Sequence, residues 1–171
     1  MKRYTVVLSA LLFAVGCAAN SPQNTPQNTP PLQKDDVAWD TDDIWQVKPT
    51  PDPESPSGVY VPTDLEKCFR ELDKMLHPGL KAQMRSGPQE GMIQHHHGLG
   101  RWLRNNWGLW GGSHLAKYFF QRGIMHPDDV SCFILDAYWK HLRGEPVEAP
   151  EPVADDRWKP IWKQMHGPQK Q

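Results

Sequence analysis

Two arginines and an asparagine in the second half of the chain have the spacing of an anion-binding face. On a helix, Arg101, Arg104 and Asn105 fall on one side, and His97 falls on the same side. Two guanidinium groups within one turn of each other can clamp a carboxylate or a phosphate through paired hydrogen bonds. Ser113 is placed to begin the next helix, whose backbone N–H groups would add donors. The pattern therefore predicts a cationic binding surface at these residues.

The same arginines also have a structural interpretation. Asp128 and Asp129 stand in the first turn of a later predicted helix, and either carboxylate could pair with Arg101 or Arg104. Such a pair would tie two helices together and use the charge inside the protein. The sequence leaves both interpretations open.

Three tryptophans accompany this segment. Trp102, Trp107 and Trp110 lie on both sides of a predicted helix end, where aromatic rings can stack on sugars or grip a partner protein. A small domain also uses large aromatic side chains as core volume, and each buried indole N–H then needs one acceptor. We therefore keep Trp107 and Trp110 as candidate binding residues, with core packing as the alternative.

The sequence contains no recognisable motif for catalysis or metal binding. Consecutive helical residues point about 100° apart, so His95, His96 and His97 cannot converge on one ion. The segment Gly111–Leu115 lacks the last glycine of a nucleophile elbow, and the chain has no phosphate-binding loop, CxxC or HExxH. We therefore predict no catalytic residue, no cofactor and no metal.

The N-terminus has the layout of an export signal. Basic residues precede an apolar run from Tyr4 to Val15. The run is shorter than the roughly 20 residues of a transmembrane helix. Small residues before Cys17 resemble a bacterial lipobox, so residues 1–16 are predicted to be removed and Cys17 to be lipidated. Ala18 stands where inner-membrane lipoproteins often carry aspartate, and this resemblance points to the outer membrane.

Charge and composition limit the partners and the folded region. The chain has 19 basic and 20 acidic residues and a net charge of −1, which does not favour nucleic acid as a partner. Residues 17–58 are rich in Pro, Asn, Gln and Thr and are predicted to form a disordered linker. Trp39, Ile44 and Trp45 interrupt this polarity, and they either dock on the domain, bind a partner or are incidental.

Residues 59–144 are predicted to fold as a small compact all-α domain of four to five helices, because apolar residues recur at helical spacing and no alternating β pattern occurs. Thr63 and Glu66 have capping-box spacing at the first helix. Gly98 and Gly100 are costly inside a helix, so we expect a close neighbour at both. The helices are expected at residues 63–76, 78–85, 88–106, 114–121 and 127–143.

The remaining residues, 145–171, are predicted to form an extended tail, with a short helix near residues 157–166 as an option. Pro160 argues against a regular helix there. Cys68 and Cys132 could form a disulfide in an oxidising compartment or remain buried as small apolar residues. Their state is left open.

Three segments carry a resemblance to a known family: VYVPTDLEKCFRELDKML at 59–76, HHGLGRWLRNNWGLWGGSHLAKYF at 96–119 and GIMHPDDVSCFIL at 123–135. Together they resemble DUF6794, a bacterial domain of unknown function. The resemblance implies a fold but no activity, cofactor or partner. His114 stands where similar domains carry an arginine, which departs from the family pattern.

The leading hypothesis is a lipid-anchored cell-envelope protein whose helical domain binds a protein, an envelope glycan or another envelope component. An immunity-type protein against an envelope-acting toxin is one alternative. An envelope hydrolase using His97, His126 and Asp128 is the other. The candidate binding residues are Arg101, Arg104, Asn105, Trp107, Trp110 and Ser113.

Overall fold

The computed structural model describes residues 44–167, and within them the fold is all-α, as expected. No strand occurs in that range. Two isolated antiparallel β-bridges do occur there, between Trp45 and Leu76 and between Pro51 and Val59. No helix among these residues is long and apolar enough to cross a membrane. The predicted signal peptide, Cys17 and Trp39 lie outside the described residues. The helices are α1 (Leu65–Met75), α2 (Pro78–Ser86), α3 (Arg101–Asn106), α4 (His114–Phe120), α5 (Pro127–Leu142) and α6 (Trp158–His166).

Helix α1 begins one residue later than its capping box predicted. The side chain of Asp64, not Thr63, accepts the backbone N–H of Lys67 at 2.9 Å and caps the helix. Thr63 instead donates its hydroxyl to Asp64. The sequence offered two neighbouring capping residues, and the carboxylate is the better acceptor because it also pairs with the Lys67 ammonium at 3.0 Å.

We expect Asp64→Ala to lower the free energy of unfolding by about 1 kcal/mol, whereas Thr63→Ala should change it by less than about 0.5 kcal/mol. Burial alone would raise the pKa of the Asp64 carboxyl, but hydrogen bonds from the backbone and side chain of Lys67 outweigh burial and lower it. The stabilisation is therefore present above the unfolded pKa of about 4 and is lost as the pH falls through the lower folded pKa. Urea unfolding at neutral and acidic pH measures both effects; a larger loss for Thr63→Ala would show that the cap is misassigned.

The segment predicted as one helix from Pro88 to Asn106 changes its winding twice. A 3₁₀ helix spans Gln89–His95, a π-helical turn spans His96–Gly100, and α3 follows. Gly100 is buried, and a Cβ there would lie 3.5 Å from the His95 carbonyl oxygen and 3.5 Å from Leu135. The expected close neighbour is therefore present at Gly100. The same expectation is wrong for Gly98, where a Cβ would meet nothing within 4 Å.

Helix α5 packs against α1 to α4 and supplies much of the core. Its residues Val130, Ile134 and Tyr138 are buried, as the helical spacing predicted. Tyr138 donates its hydroxyl to Asp73 of α1 at 3.0 Å, and the His141 ring nitrogen lies 2.8 Å from the other oxygen of that carboxylate. These bonds hold α5 against α1, and α3 in turn packs on α5.

Residues 44–61, which we call the arm, pack on the helices. Ile44 is buried, and the ring of Trp45 lies 4.8 Å from that of Trp102. The backbone carbonyl of Ile44 accepts the N–H of His77 at 2.8 Å. Residues 44–58 were assigned to the linker by composition, so the folded region begins earlier than Val59. For Ile44 and Trp45, the docking alternative is the correct one.

The C-terminal tail is also packed on the domain. Helix α6 lies against α4, and the ring of Trp162 meets that of Phe120 edge-on at 5.1 Å. The expectation that Pro160 prevents a regular helix is wrong. Pro160 falls in the first turn of α6, where a proline N–H would have no helical partner in any case.

Candidate functional site

A cleft of about 610 Å³ opens between the arm and the end of α3. Four of the six candidate binding residues predicted from the sequence line it. On the opposite side, the arm contributes Tyr60 and two carboxylates, which the sequence did not connect with the site. The predicted residues in the lining are Arg104, Asn105, Trp110 and Ser113.

A hydrogen bond joins the two walls of the cleft, and others hold each wall in place. The hydroxyl of Ser57 in the arm donates to the backbone carbonyl of Asn106 at 2.5 Å. The Asn106 side-chain amide donates to the carbonyl of Trp102 at 2.9 Å. Ser55 and Ser57 bond to each other at 3.1 Å. The arm is therefore tied to the C-terminal end of α3, and the cleft is a formed feature of this fold.

The loop from Trp107 to Gly112 forms the rim on the helical side. Gly108 and Gly112 have φ angles of 62° and 74°, a left-handed conformation that favours glycine. Ser113 donates its hydroxyl to the Trp107 carbonyl at 2.7 Å and accepts the N–H of Ala116 at 3.2 Å. Ser113 is thus the N-cap of α4, as predicted, and its hydroxyl is engaged in holding this loop.

The predicted pair of arginines is divided between the interior and the surface. Arg104 is 6% exposed, and its Nε lies 3.0 Å from an Asp128 oxygen. It also donates to the Ser131 hydroxyl at 2.7 Å. Arg101 is exposed and does not line the cleft. The structural interpretation therefore holds for Arg104, whose charge ties α3 to α5 and is not free to form an exposed clamp with Arg101.

The two candidate tryptophans are divided in the same way. Trp107 is fully buried and belongs to the core. Its indole nitrogen has no hydrogen-bond partner among residues 44–167, contrary to the expectation that a buried indole N–H finds an acceptor. Trp110 is 53% exposed, and its ring stands edge-on to that of His126 at 5.7 Å. Only Trp110 of the two presents an aromatic surface to the cleft.

The charges around the cleft differ from those predicted. Arg104 is the one Lys or Arg side chain among the described residues of the lining, and Asp128 neutralises it. Asp52 and Glu54 bring carboxylates from the arm. Asn105 is exposed and adds an amide, which both donates and accepts hydrogen bonds. The cleft therefore combines a large ring with the imidazole of His114 and with neutral and acidic polar groups.

A second cluster, which the sequence did not predict, lies beneath the π-helical turn. The His96 Nδ1 is 3.2 Å from the Cys132 sulfur, and its Nε2 is 3.8 Å from an Asp128 oxygen. Asp128 and Cys132 are one helical turn apart, but no local pattern predicted that His96 would approach them. Burial, and secondarily Asp136, raises the pKa of the Cys132 thiol, so it stays protonated near neutral pH and is a weak nucleophile.

Of the residues named for a hydrolase, His126 and Asp128 lie close together, and His97 contacts a different partner. The His126 ring nitrogen lies 3.5 Å from an Asp128 oxygen, but it also accepts the Asp128 backbone N–H at 3.2 Å and so caps α5. His97 packs its ring against His96 instead. Cys68 and Cys132 are both free. Within the part of the chain that the structure describes, no group of His, Cys, Asp and Glu is arranged to hold a metal ion.

The fold and the cleft define a small all-α domain with a preformed surface site. Residues 61–142 match the family model of DUF6794, a domain of unknown function, and this domain belongs to that family. The matched range covers α1 to α5 and leaves out α6 and nearly all of the arm. No curated protein and no solved structure matches the chain.

Proposed function

We propose that this protein is a bacterial cell-envelope lipoprotein that is anchored through Cys17, in the outer membrane, and binds a protein or another envelope component in the cleft. The anchor is supported by the sequence pattern before Cys17. The binding role is supported by one observation above all: Trp110 holds a large, half-exposed ring at the rim of a preformed cleft. Exposed aromatic side chains next to a concave surface are typical anchors of binding sites.

The cleft has the properties of a binding site rather than of a packing defect. Its volume of about 610 Å³ is in the range of about 300–1,000 Å³ that is usual for ligand sites. The hydrogen bond from Ser57 to the Asn106 carbonyl holds its two walls together without a ligand. A preformed site loses less conformational entropy on binding than a mobile one, which favours affinity.

We expect Trp110→Ala to weaken the recovery of the envelope partner about tenfold, which corresponds to about 1.4 kcal/mol, because the indole supplies most of the apolar contact at the rim. The measurement is a pull-down from detergent-solubilised envelopes with the full-length protein. Ile93→Ala is the matched control, since Ile93 is also an exposed apolar residue, at 68%, and does not line the cleft. Equal recovery by wild type and by folded Trp110→Ala would exclude the cleft as the binding site.

A further inference from the structure

We propose that the ligand of the cleft is an uncharged, hydroxyl-rich saccharide chain of the cell envelope. The inference rests on the proposed binding function of the cleft and names the chemistry of its ligand. Three features of the lining support this inference. They are its paired arginine and its carboxylates, its two aromatic residues, and its mixture of hydrogen-bond donors and acceptors.

The charges of the lining disfavour an anionic ligand. The Arg104 guanidinium is used by Asp128 at 3.0 Å and by Ser131 at 2.7 Å. An anion in the cleft would also meet the carboxylates of Asp52 and Glu54. Like charges in a partly desolvated site repel each other, so a carboxylate or phosphate ligand would bind poorly.

The same carboxylates are a weak basis for binding a cationic peptide. Glu54 is exposed, so an ion pair there is screened by water and salt. Asp52 already accepts the Glu54 backbone N–H at 3.0 Å. Hydroxyl groups of a ligand can donate to both carboxylates without carrying a charge. These two carboxylates can therefore accept hydrogen bonds from neutral hydroxyl groups and do not by themselves require a cationic ligand.

Two aromatic residues face this polar lining from opposite walls. Trp110 belongs to the loop after α3, and Tyr60 belongs to the arm, where its backbone N–H bonds to the Thr50 carbonyl at 2.7 Å. Aromatic faces carry a partial negative charge that attracts polarised C–H groups. A sugar ring offers an apolar C–H face for such stacking and hydroxyls around its edge.

The polar side chains of the cleft match hydroxyl groups in kind. A hydroxyl donates one hydrogen bond and accepts others, so it needs both donors and acceptors nearby. Asn105 offers both through one exposed amide. The Ser55 hydroxyl offers an acceptor, because it donates its proton to Ser57, whose own proton is donated to the Asn106 carbonyl. Glu54 offers an acceptor alone. This mixture surrounds the exposed Trp110 ring, an arrangement that fits a saccharide better than an apolar peptide or an ion.

The test uses the full-length protein in detergent, immobilised, with a solubilised envelope fraction treated in two ways. One portion is digested exhaustively with protease. The other is treated with periodate, which cleaves sugars that have vicinal diols, and with a muramidase, which cleaves cell-wall glycan strands that lack them. We expect Trp110-dependent retention to survive protease and to be lost after the sugar-cleaving treatment, with Asn105→Ala weakening it several-fold and Arg101→Ala leaving it unchanged.

The outcomes separate this inference from the function on which it rests. Retention that depends on Trp110 but is lost with protease, or survives the sugar-cleaving treatment, overturns the saccharide and leaves the binding cleft in place. Competition by millimolar inorganic phosphate also overturns an uncharged ligand. Retention that never depends on Trp110 removes the binding function of the cleft itself.

Discussion

Arg104→Ala is expected to lower the free energy of unfolding by about 2–4 kcal/mol. The substitution removes a buried cation that holds α5 through Asp128 and Ser131. It leaves the Asp128 carboxylate without its strongest partner. Because the Asp128 side chain is 39% exposed, water can partly replace the arginine, which keeps the loss below that of a fully buried pair.

Chemical unfolding measures this loss, and Arg101→Ala is the matched control. Arg101 is one helical turn away, exposed and outside the cleft, so its removal should change stability by less than about 0.5 kcal/mol. Arg104→Lys should fall between the two, because lysine keeps the charge but not the fork of donors. Wild-type stability of Arg104→Ala together with lost binding would mean that Arg104 is a ligand-binding group after all.

The second large effect is expected at the turn before α4, where Gly112→Ala should cost about 2–3 kcal/mol. Gly112 has a φ of 74°, a conformation that costs an L-residue about 1–2 kcal/mol. A Cβ there would also lie 2.7 Å from the ring of His166 in α6. The substitution would therefore strain the loop and push α6 away from it.

Gly98→Ala supplies the contrast, because Gly98 lies in helical backbone with nothing within 4 Å of a Cβ. It should stabilise the protein by roughly 0.5–1 kcal/mol. Thermal unfolding of both variants checks the pair. His166→Ala in the Gly112→Ala background should recover part of the steric loss, because it removes the ring at 2.7 Å but keeps the His166 Cβ at 3.0 Å, and it should not recover the part due to φ. Destabilisation of similar size by both glycine substitutions would contradict this assignment.

The sequence predicted the helices well where their ends depend on local chemistry. Pro78 and Pro127 begin helices where expected, Ser113 caps α4, and Gly123 and Gly144 adopt positive φ after helix ends. These features act within one turn of the residue itself, so they can be predicted without tertiary structure. The switch to 3₁₀ and π winding before α3 occurs where Gly100 packs closely against Leu135 of α5, a tertiary contact that no local pattern encodes.

The candidate site was predicted only in part, because it too depends on tertiary packing. Arg101 and Arg104 share a helix face in the sequence pattern, and only the approach of α5 decides which of them is buried. Trp110 and Trp107 were both named as candidates, and the structure leaves Trp110 exposed at the cleft and buries Trp107 in the core. The arm was missed because Ile44 and Trp45 are few apolar residues in a polar segment, and composition averages over them.

The contact between Phe120 and Trp162 shows that the range matched by the family model and the range that packs together in the fold are not the same. Phe120 lies inside the family range and is only 1% exposed, whereas Trp162 lies twenty residues beyond Leu142, where that range ends. Cutting the chain at Leu142 would remove Trp162 from the Phe120 ring and expose that ring to water. The part of the chain that the family model matches is therefore smaller than the part that packs together in this fold, and boundaries for expression should include α6.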